Sequence, residues 1–169
     1  MEISMHFLRM LMKSFISFHS FKMMNQEETT HDIYTLKKLR QAWSSGRRFS
    51  FVYFWNVEDS DINTETLNEV CFSQFFPCQF TDDNGQKYCC CEQYMMAKKA
   101  LAFNDQQSLR KIMNNKIPSL IKRFGRKVKN FESEKWNQIS YEIVFQGNMY
   151  KFSQNEELKK YILSFRKNT

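Results

Sequence analysis

Residues 79–100, QFTDDNGQKYCCCEQYMMAKKA, decide how the chain folds. The Asn84-Gly85 pair signals a hairpin, because a tight two-strand connection needs the positive φ that these residues tolerate. Two short extended arms are expected around it, with Cys89, Cys90 and Cys91 on the second. From Glu92 onward the pattern changes to successive helices. A hairpin feeding a series of helices predicts an α+β domain, mostly α-helical, with a small β-sheet.

The flanking segments agree. Asp105 is placed to cap a helix through Met113, and Pro118 suits the first turn of another that Gly125 would end. Trp136, Ile139, Ile143 and Val144 form one apolar stripe at helical spacing. Leu158, Tyr161, Ile162 and Phe165 form a second, after the start Asn155, Glu156 and Glu157. Upstream, Leu36, Leu39 and Trp43 mark a helix that Gly46 would stop. The aromatic run FSFVYFW, residues 49–55, suits a buried strand, and the polar run from Glu58 to Asn68 an exposed loop. A chain of 169 residues with 16% aromatics and only four glycines and two prolines reads as one packed domain. We divide it into an unassigned N-terminal extension and helix, residues 1–48, and the domain itself, residues 49–169.

The formal charge of +7 is unevenly spread. Arg110, Lys111, Lys116, Lys122, Arg123, Arg126, Lys127 and Lys129 fall between Gln106 and Asn130, where no Asp or Glu occurs. Such a segment is either a solvated helical face or an attractor of phosphates, on a small ligand or on nucleic acid. No RNA-binding signature, zinc-finger spacing or helix-turn-helix pattern favours nucleic acid. In the first 24 residues, Arg9, Lys13 and Lys22 interrupt the apolar runs, short of the ~18 to 20 residues that span a bilayer. No transmembrane span is expected. A cytoplasmic location is, with an organelle presequence as the alternative.

Five cysteines, Cys71, Cys78, Cys89, Cys90 and Cys91, lack paired CxxC spacing, and His6, His19 and His31 all lie far upstream of them. Small buried hydrophobes or free thiols are the better reading than a zinc site, and a reducing compartment follows. No metal and no cofactor is called for.

Glu92 and Lys99 lie seven residues apart, which returns a helix to nearly the same direction about 10.5 Å further along its axis. Both therefore share one face. That separation exceeds a salt bridge and suits the two ends of one ligand, while a charged solvent face remains the plain alternative.

Several blocks in order, CFSQFFPCQF, EQYMMAKKA with Asn104-Asp105, FGRKVKNFESEKW, YEIVFQGNMYKFSQNEEL and YILS, resemble the NADAR family, whose fold is also called YbiA-like. The pair Phe54-Trp55 resembles that family's first strand. The resemblance runs from about Phe51 to Ser164. It implies a mostly helical α+β domain that recognises ribose-phosphate compounds related to NAD and ADP-ribose. It further implies an N-glycosidase that cleaves the C–N bond between ribose phosphate and the base-derived part of riboflavin-pathway intermediates or a related phosphorylated riboside. The alternatives it implies are a hydrolase of ADP-ribosyl-nucleobases and a catalytically impaired binder of ADP-ribose or NAD-like ligands. Glu92 takes the place of the catalytic glutamate in the family's EQY or EHY motif, and Lys99 that of the lysine seven positions on. Arg126, Lys151, Trp55 and Trp136 are further candidates for binding substrate, with Phe75 a candidate for stacking or packing. Relatives usually continue beyond the equivalent of Ser164 into a segment with an Asp and a Trp-Gly pair, so the resemblance also implies a shortened domain whose activity is in doubt.

Overall fold

The computed structural model describes residues 36–47 and 67–165. These fall into two compact units, residues 36–47 in one and residues 67–165 in the other. The expected strand at 49–55, Trp55 within it, and the three histidines lie outside the described residues.

The first unit shows helix α1, Leu36–Ser44. It ends where Gly46 takes φ 90°, and the Gly46 and Arg47 amides close back on the Trp43 and Ala42 carbonyls at 3.0 Å each. That is the glycine stop expected from the sequence, since a left-handed residue lets the last carbonyls be satisfied locally.

The second unit begins with a 3-10 turn, Glu69–Phe72, capped by the Asn68 side chain, which accepts from the Val70 amide. Strands β1, Phe80–Thr81, and β2, Lys87–Tyr88, then pair antiparallel with Phe80 opposite Tyr88. Gly85 supplies φ 78° at the turn. The buried Asp82 carboxylate organises this connection: it accepts from the amides of Asn84 and Gln86, from the Tyr88 hydroxyl and from Lys98 Nζ at 2.9 Å. The second arm is shorter than the sequence suggests. Cys89 still accepts from the Cys78 amide at 2.9 Å, but Cys90 is already the residue before the next helix and Cys91 opens it. The three cysteines therefore do not alternate across one strand.

Five helices follow: α2, Cys91–Ala102; α3, Gln106–Met113; α4, Pro118–Gly125; α5, Ser133–Gln154; and α6, Glu156–Ser164. The expected mostly helical α+β architecture is what forms. Helix α2 is central and packs against α3, α4 and α5. Its first turn is enclosed on every side, Cys91, Glu92, Gln93 and Tyr94 all being buried, and Met96, Ala97 and Ala100 are buried further along, whereas Met95, Lys98 and Lys99 are half-buried and Leu101 is exposed.

Two glycines let its neighbours approach. A Cβ on Gly125 of α4 would fall on Met96 Sδ, and one on Gly147 of α5 would lie 2.9 Å from the Tyr94 ring. Asp105 caps α3 as expected, accepting from the Ser108 amide and hydroxyl, and it also accepts from the Lys129 amide at 2.9 Å. These three bonds, led by the one from Lys129, hold its carboxyl down at about 2.

Helix α5 runs 22 residues, well beyond the stripe that announced it. Trp136, Ile139 and Ile143 are only half-buried, while Val144, Phe145, Phe152 and the polar Asn148 and Lys151 are enclosed. At its C-terminal end Gln154 mimics a strand: its amide exchanges bonds of 2.9 and 2.7 Å with the Thr81 main chain, and Asn155 reaches the Gln79 carbonyl. The hairpin is thereby held to α5. Phe72 meets the rings of Phe152, Tyr161 and Phe165, which locks α6 over the 3-10 turn. Fully burying a ring, as at Phe72 and Phe152, contributes roughly 1.5 to 3 kcal/mol.

Candidate active site

Glu92 sits in the first turn of α2, one residue past its start, and is only 2% exposed. Its amide donates to the Gln74 carbonyl at 3.0 Å, which fixes the loop after the 3-10 turn against the helix. Its Oε1 has no hydrogen-bond partner. Burial pushes the carboxyl up from 4.5 to about 7, opposed by the positive charges of Lys122, Arg126 and Lys99. A carboxyl in that range is poised to give or take a proton near neutral pH.

Three cations therefore act on one buried acid, and they arrive by different routes. Lys99 lies two turns along α2, on the face that the seven-residue spacing predicts. Its ammonium sits 3.9 Å from the centre of the Phe131 ring and 5.6 Å from that of Trp136. Burial and Arg126 lower its pKa, against the pull of Glu92. Lys122 comes from α4, with its ammonium 5.2 Å from the centre of the Phe75 ring. Arg126 follows Gly125 at the end of α4 and is exposed. The close approach of α4 to α2 at Gly125 is what brings the last two near Glu92.

The residues named from the sequence divide accordingly. Glu92, Lys99 and Arg126 come together, and Trp136 joins them through Lys99. Trp55 lies outside the described residues. Lys151 has a different setting: it is fully buried, donates to the Ser73 carbonyl at 2.9 Å and packs against Phe76 and Phe152. It holds the loop that carries Gln74, and its charge also bears on the thiols of Cys71, Cys78 and Cys91. Phe75 is half-buried beneath Lys122.

Two polar side chains that the sequence reading left without a role share the character of Glu92. Both amide atoms of Gln74 and the Oδ1 of Asn148 are shielded from solvent without a hydrogen-bond partner. A signal for each was present: a polar residue inside the aromatic run FSQFF, and an Asn at a core position of α5. Gln93, by contrast, is fully engaged. Its Nε2 donates to the carbonyls of Ile112, Met113 and Asn115, and its Oε1 accepts from the Cys89 amide at 2.8 Å. The glutamine of the EQY motif is thus a cap for the end of α3.

The cysteines serve packing and local contacts. Cys89 and Cys90 hold their sulfurs 4.0 Å apart, and the Cys91 thiol donates to the Gly147 carbonyl. Among the described residues no three His, Cys, Asp or Glu side chains gather in a way that could hold a metal ion. A separate recess near the start of α6 is lined by Leu67, Phe76, Pro77 and Glu156 among others; it contains none of the cations around Glu92.

The NADAR domain model matches residues 53–169, more than half of the chain. The chain belongs to the NADAR domain family. An N-glycosidase of Acanthamoeba polyphaga mimivirus is 45% identical over 96 residues, which cover 54% of this chain and 56% of that protein. The protein irg-1 of Caenorhabditis elegans is 33% identical over 75 residues, covering 43% of this chain and 35% of that protein. The chain thus spans about half or less of the curated relatives it matches. In this NADAR domain the blocks that carry the resemblance have distinct tasks: EQYMMAKKA forms the central helix with Glu92 and Lys99, FGRK ends α4 at Arg126, and KFSQN ties down the loop and hairpin. No helix among the described residues is long and apolar enough to cross a membrane.

Proposed function

We propose that this NADAR domain is an N-glycosidase that hydrolyses the C–N bond between ribose phosphate and the base-derived part of a riboflavin-pathway intermediate or a related phosphorylated riboside. The observation that carries this reading is Glu92: buried, with an unpartnered oxygen, and facing three cations. Breaking the C–N bond leaves positive charge on the ribose C1 and O4, which an ionised Glu92 stabilises. Water adds to C1, Glu92 accepts its proton, and the departing nitrogen is protonated from solvent or from the carboxyl itself. Lys99, Lys122 and Arg126 supply the anion site that orients the sugar, and Trp136 shapes the wall beside Lys99. The similarity to a viral N-glycosidase supports the same reaction class.

Three cations exceed what one phosphate monoester requires. This favours, as a second reading, a diphosphate ligand of the ADP-ribose kind, either bound without turnover or cleaved from a nucleobase. Release of ribose 5-phosphate by the purified chain, measured by chromatography, tests the first reading. Glu92→Gln is expected to slow it by about a hundredfold or more while leaving binding within about threefold. Unchanged turnover in that variant would remove Glu92 from the chemistry. Calorimetric binding of ADP-ribose with no product formed would favour the second reading instead.

A further inference from the structure

The chemistry at Glu92 leaves three consecutive cysteines unused, and the fold treats them unequally. Cys90 and Cys91 are each 1% exposed, whereas Cys89 is half-buried. Side chains of neighbouring extended residues ordinarily diverge, yet the Cys89 and Cys90 sulfurs lie 4.0 Å apart and share a hydrogen bond. That bond, the Cys89 main chain and the charge of Lys116 lower the Cys89 thiol from 9.0 to about 7 against the effect of burial, while the same bond and burial raise Cys90. One thiol that ionises near neutral pH thus sits beside one that stays protonated. The backbone around them is pinned. The Cys89 amide donates to Gln93 Oε1 at 2.8 Å, its carbonyl accepts from the Cys78 amide at 2.9 Å, and the Cys90 carbonyl accepts from the Tyr94 amide at 3.3 Å. Gln93 in turn donates to the carbonyls at the end of α3.

We propose that Cys89 and Cys90 form a reversible thiol switch, with Cys89 the site of oxidation by a peroxide and Cys90 the thiol that closes the disulfide. The Cys89 thiolate attacks one peroxide oxygen and the O–O bond breaks. The departing alkoxide or hydroxide takes a proton from solvent, and the sulfur, oxidised by two electrons, is left as a sulfenic acid. Cys90 no longer has a thiolate to donate to, and its sulfur attacks Cys89 Sγ. An S–S bond forms, the S–O bond breaks, and the hydroxide leaves with the Cys90 proton as water. A trans peptide holds adjacent Cα atoms about 3.8 Å apart, less than the roughly 4.4 to 6.8 Å that disulfides ordinarily span. Closure therefore turns the peptide between the two residues, draws its carbonyl from the Cys78 amide and disturbs the bond to Gln93. A dithiol readily reduces such a bond, which makes the change reversible. The first turn of α2, which carries Glu92, loosens with it. This switch goes beyond the hydrolytic reading and does not depend on it.

The test treats the reduced full chain with one equivalent of tert-butyl hydroperoxide, blocks remaining thiols with iodoacetamide and digests with trypsin. Residues 88–98 leave as one peptide with Cys89, Cys90 and Cys91, and Cys71 and Cys78 fall together on another, residues 49–87. The 88–98 peptide is expected two hydrogens lighter, with Cys91 its single alkylated cysteine, and to carry three alkylated cysteines after dithiothreitol. Cys90→Ala is expected to stop at a Cys89 sulfenic acid that dimedone traps, and Cys89→Ala to slow oxidation of that peptide by about tenfold or more. A cross-link between the two peptides, or first oxidation at any thiol other than Cys89, overturns the proposal. The wild-type digest decides both points, so a variant that fails to fold leaves the test intact. In the oxidised chain, amides in the first turn of α2 and the end of α3 are expected to exchange about tenfold faster than in the reduced chain. Unchanged exchange there, with the disulfide formed, would refute the switch.

Discussion

At the scale of single residues, the energetics of Glu92 and its chemistry have one cause. Burial raises its carboxyl to about 7 although Lys122, Arg126 and Lys99 pull the other way. The fold therefore prefers the neutral acid, and ionisation works against folding. Stability is intact below pH ~4.5, is lost as pH rises toward 7, and levels off above that with a cost of about 3 kcal/mol. Urea unfolding of wild type and Glu92→Gln across this range should diverge by that amount, with the variant the more stable at pH 8; parallel profiles would mean an unperturbed carboxyl. The same titration predicts a limb near pH 7 in the rate of the proposed hydrolysis. The kinship of Glu92 and Lys99 was legible from their spacing, because helical geometry is local. Whether Glu92 met solvent or the interior was not, since the enclosing residues come from α4 and from the loop at Gln74.

At the scale of elements, caps account for most of the agreement between expectation and structure. Gly46 closing α1, Asp105 opening α3 and Pro118 opening α4 all act within a few residues, so the sequence displays them directly. Gln93 does not act that way. It closes α3 from another helix, about twenty residues away in the chain, and no local pattern signals it. Gln93→Ala would remove the side-chain bonds to the carbonyls of Ile112, Met113 and Asn115 and leave the Cys89 amide without its present partner, although the Ile112 carbonyl keeps the main-chain amides of Asn114 and Asn115. A loss of about 2 to 4 kcal/mol is expected by denaturant titration, and amide exchange in α3 should rise first. Intact protection of α3 in that variant would contradict this account. The cysteine run shows the opposite error of scale: three alike residues suggested one strand, but Cys89, Cys90 and Cys91 end the hairpin pairing, precede the helix and open it respectively.

At the scale of the second unit as a whole, α2 is the axle on which the site is assembled, and Gly125 sets how near α4 may come. An added methyl would lie on Met96 Sδ and 2.6 Å from its Cγ, so Gly125→Ala should push α4 outward, taking Lys122 and Arg126 from Glu92. We expect a loss of about 1 to 3 kcal/mol and roughly a tenfold rise in KM with a smaller change in kcat. Met96→Ala in the same chain should recover part of both, and strict additivity in that double-mutant cycle would argue against the contact as the cause. The sequence by itself determined the order of elements, the hairpin turn, the caps and the shared face of Glu92 and Lys99, because each depends on backbone preferences or spacings within a few residues. Only the tertiary structure decided that Glu92 is buried and perturbed, that Lys122 joins Lys99 and Arg126 around it, that Lys151 is bonded to a loop carbonyl, and that the amide atoms of the half-buried Gln74 are shielded without a partner. Those outcomes depend on which distant segments share a dry interior, where unpaired charge and unmet hydrogen bonds acquire their energy.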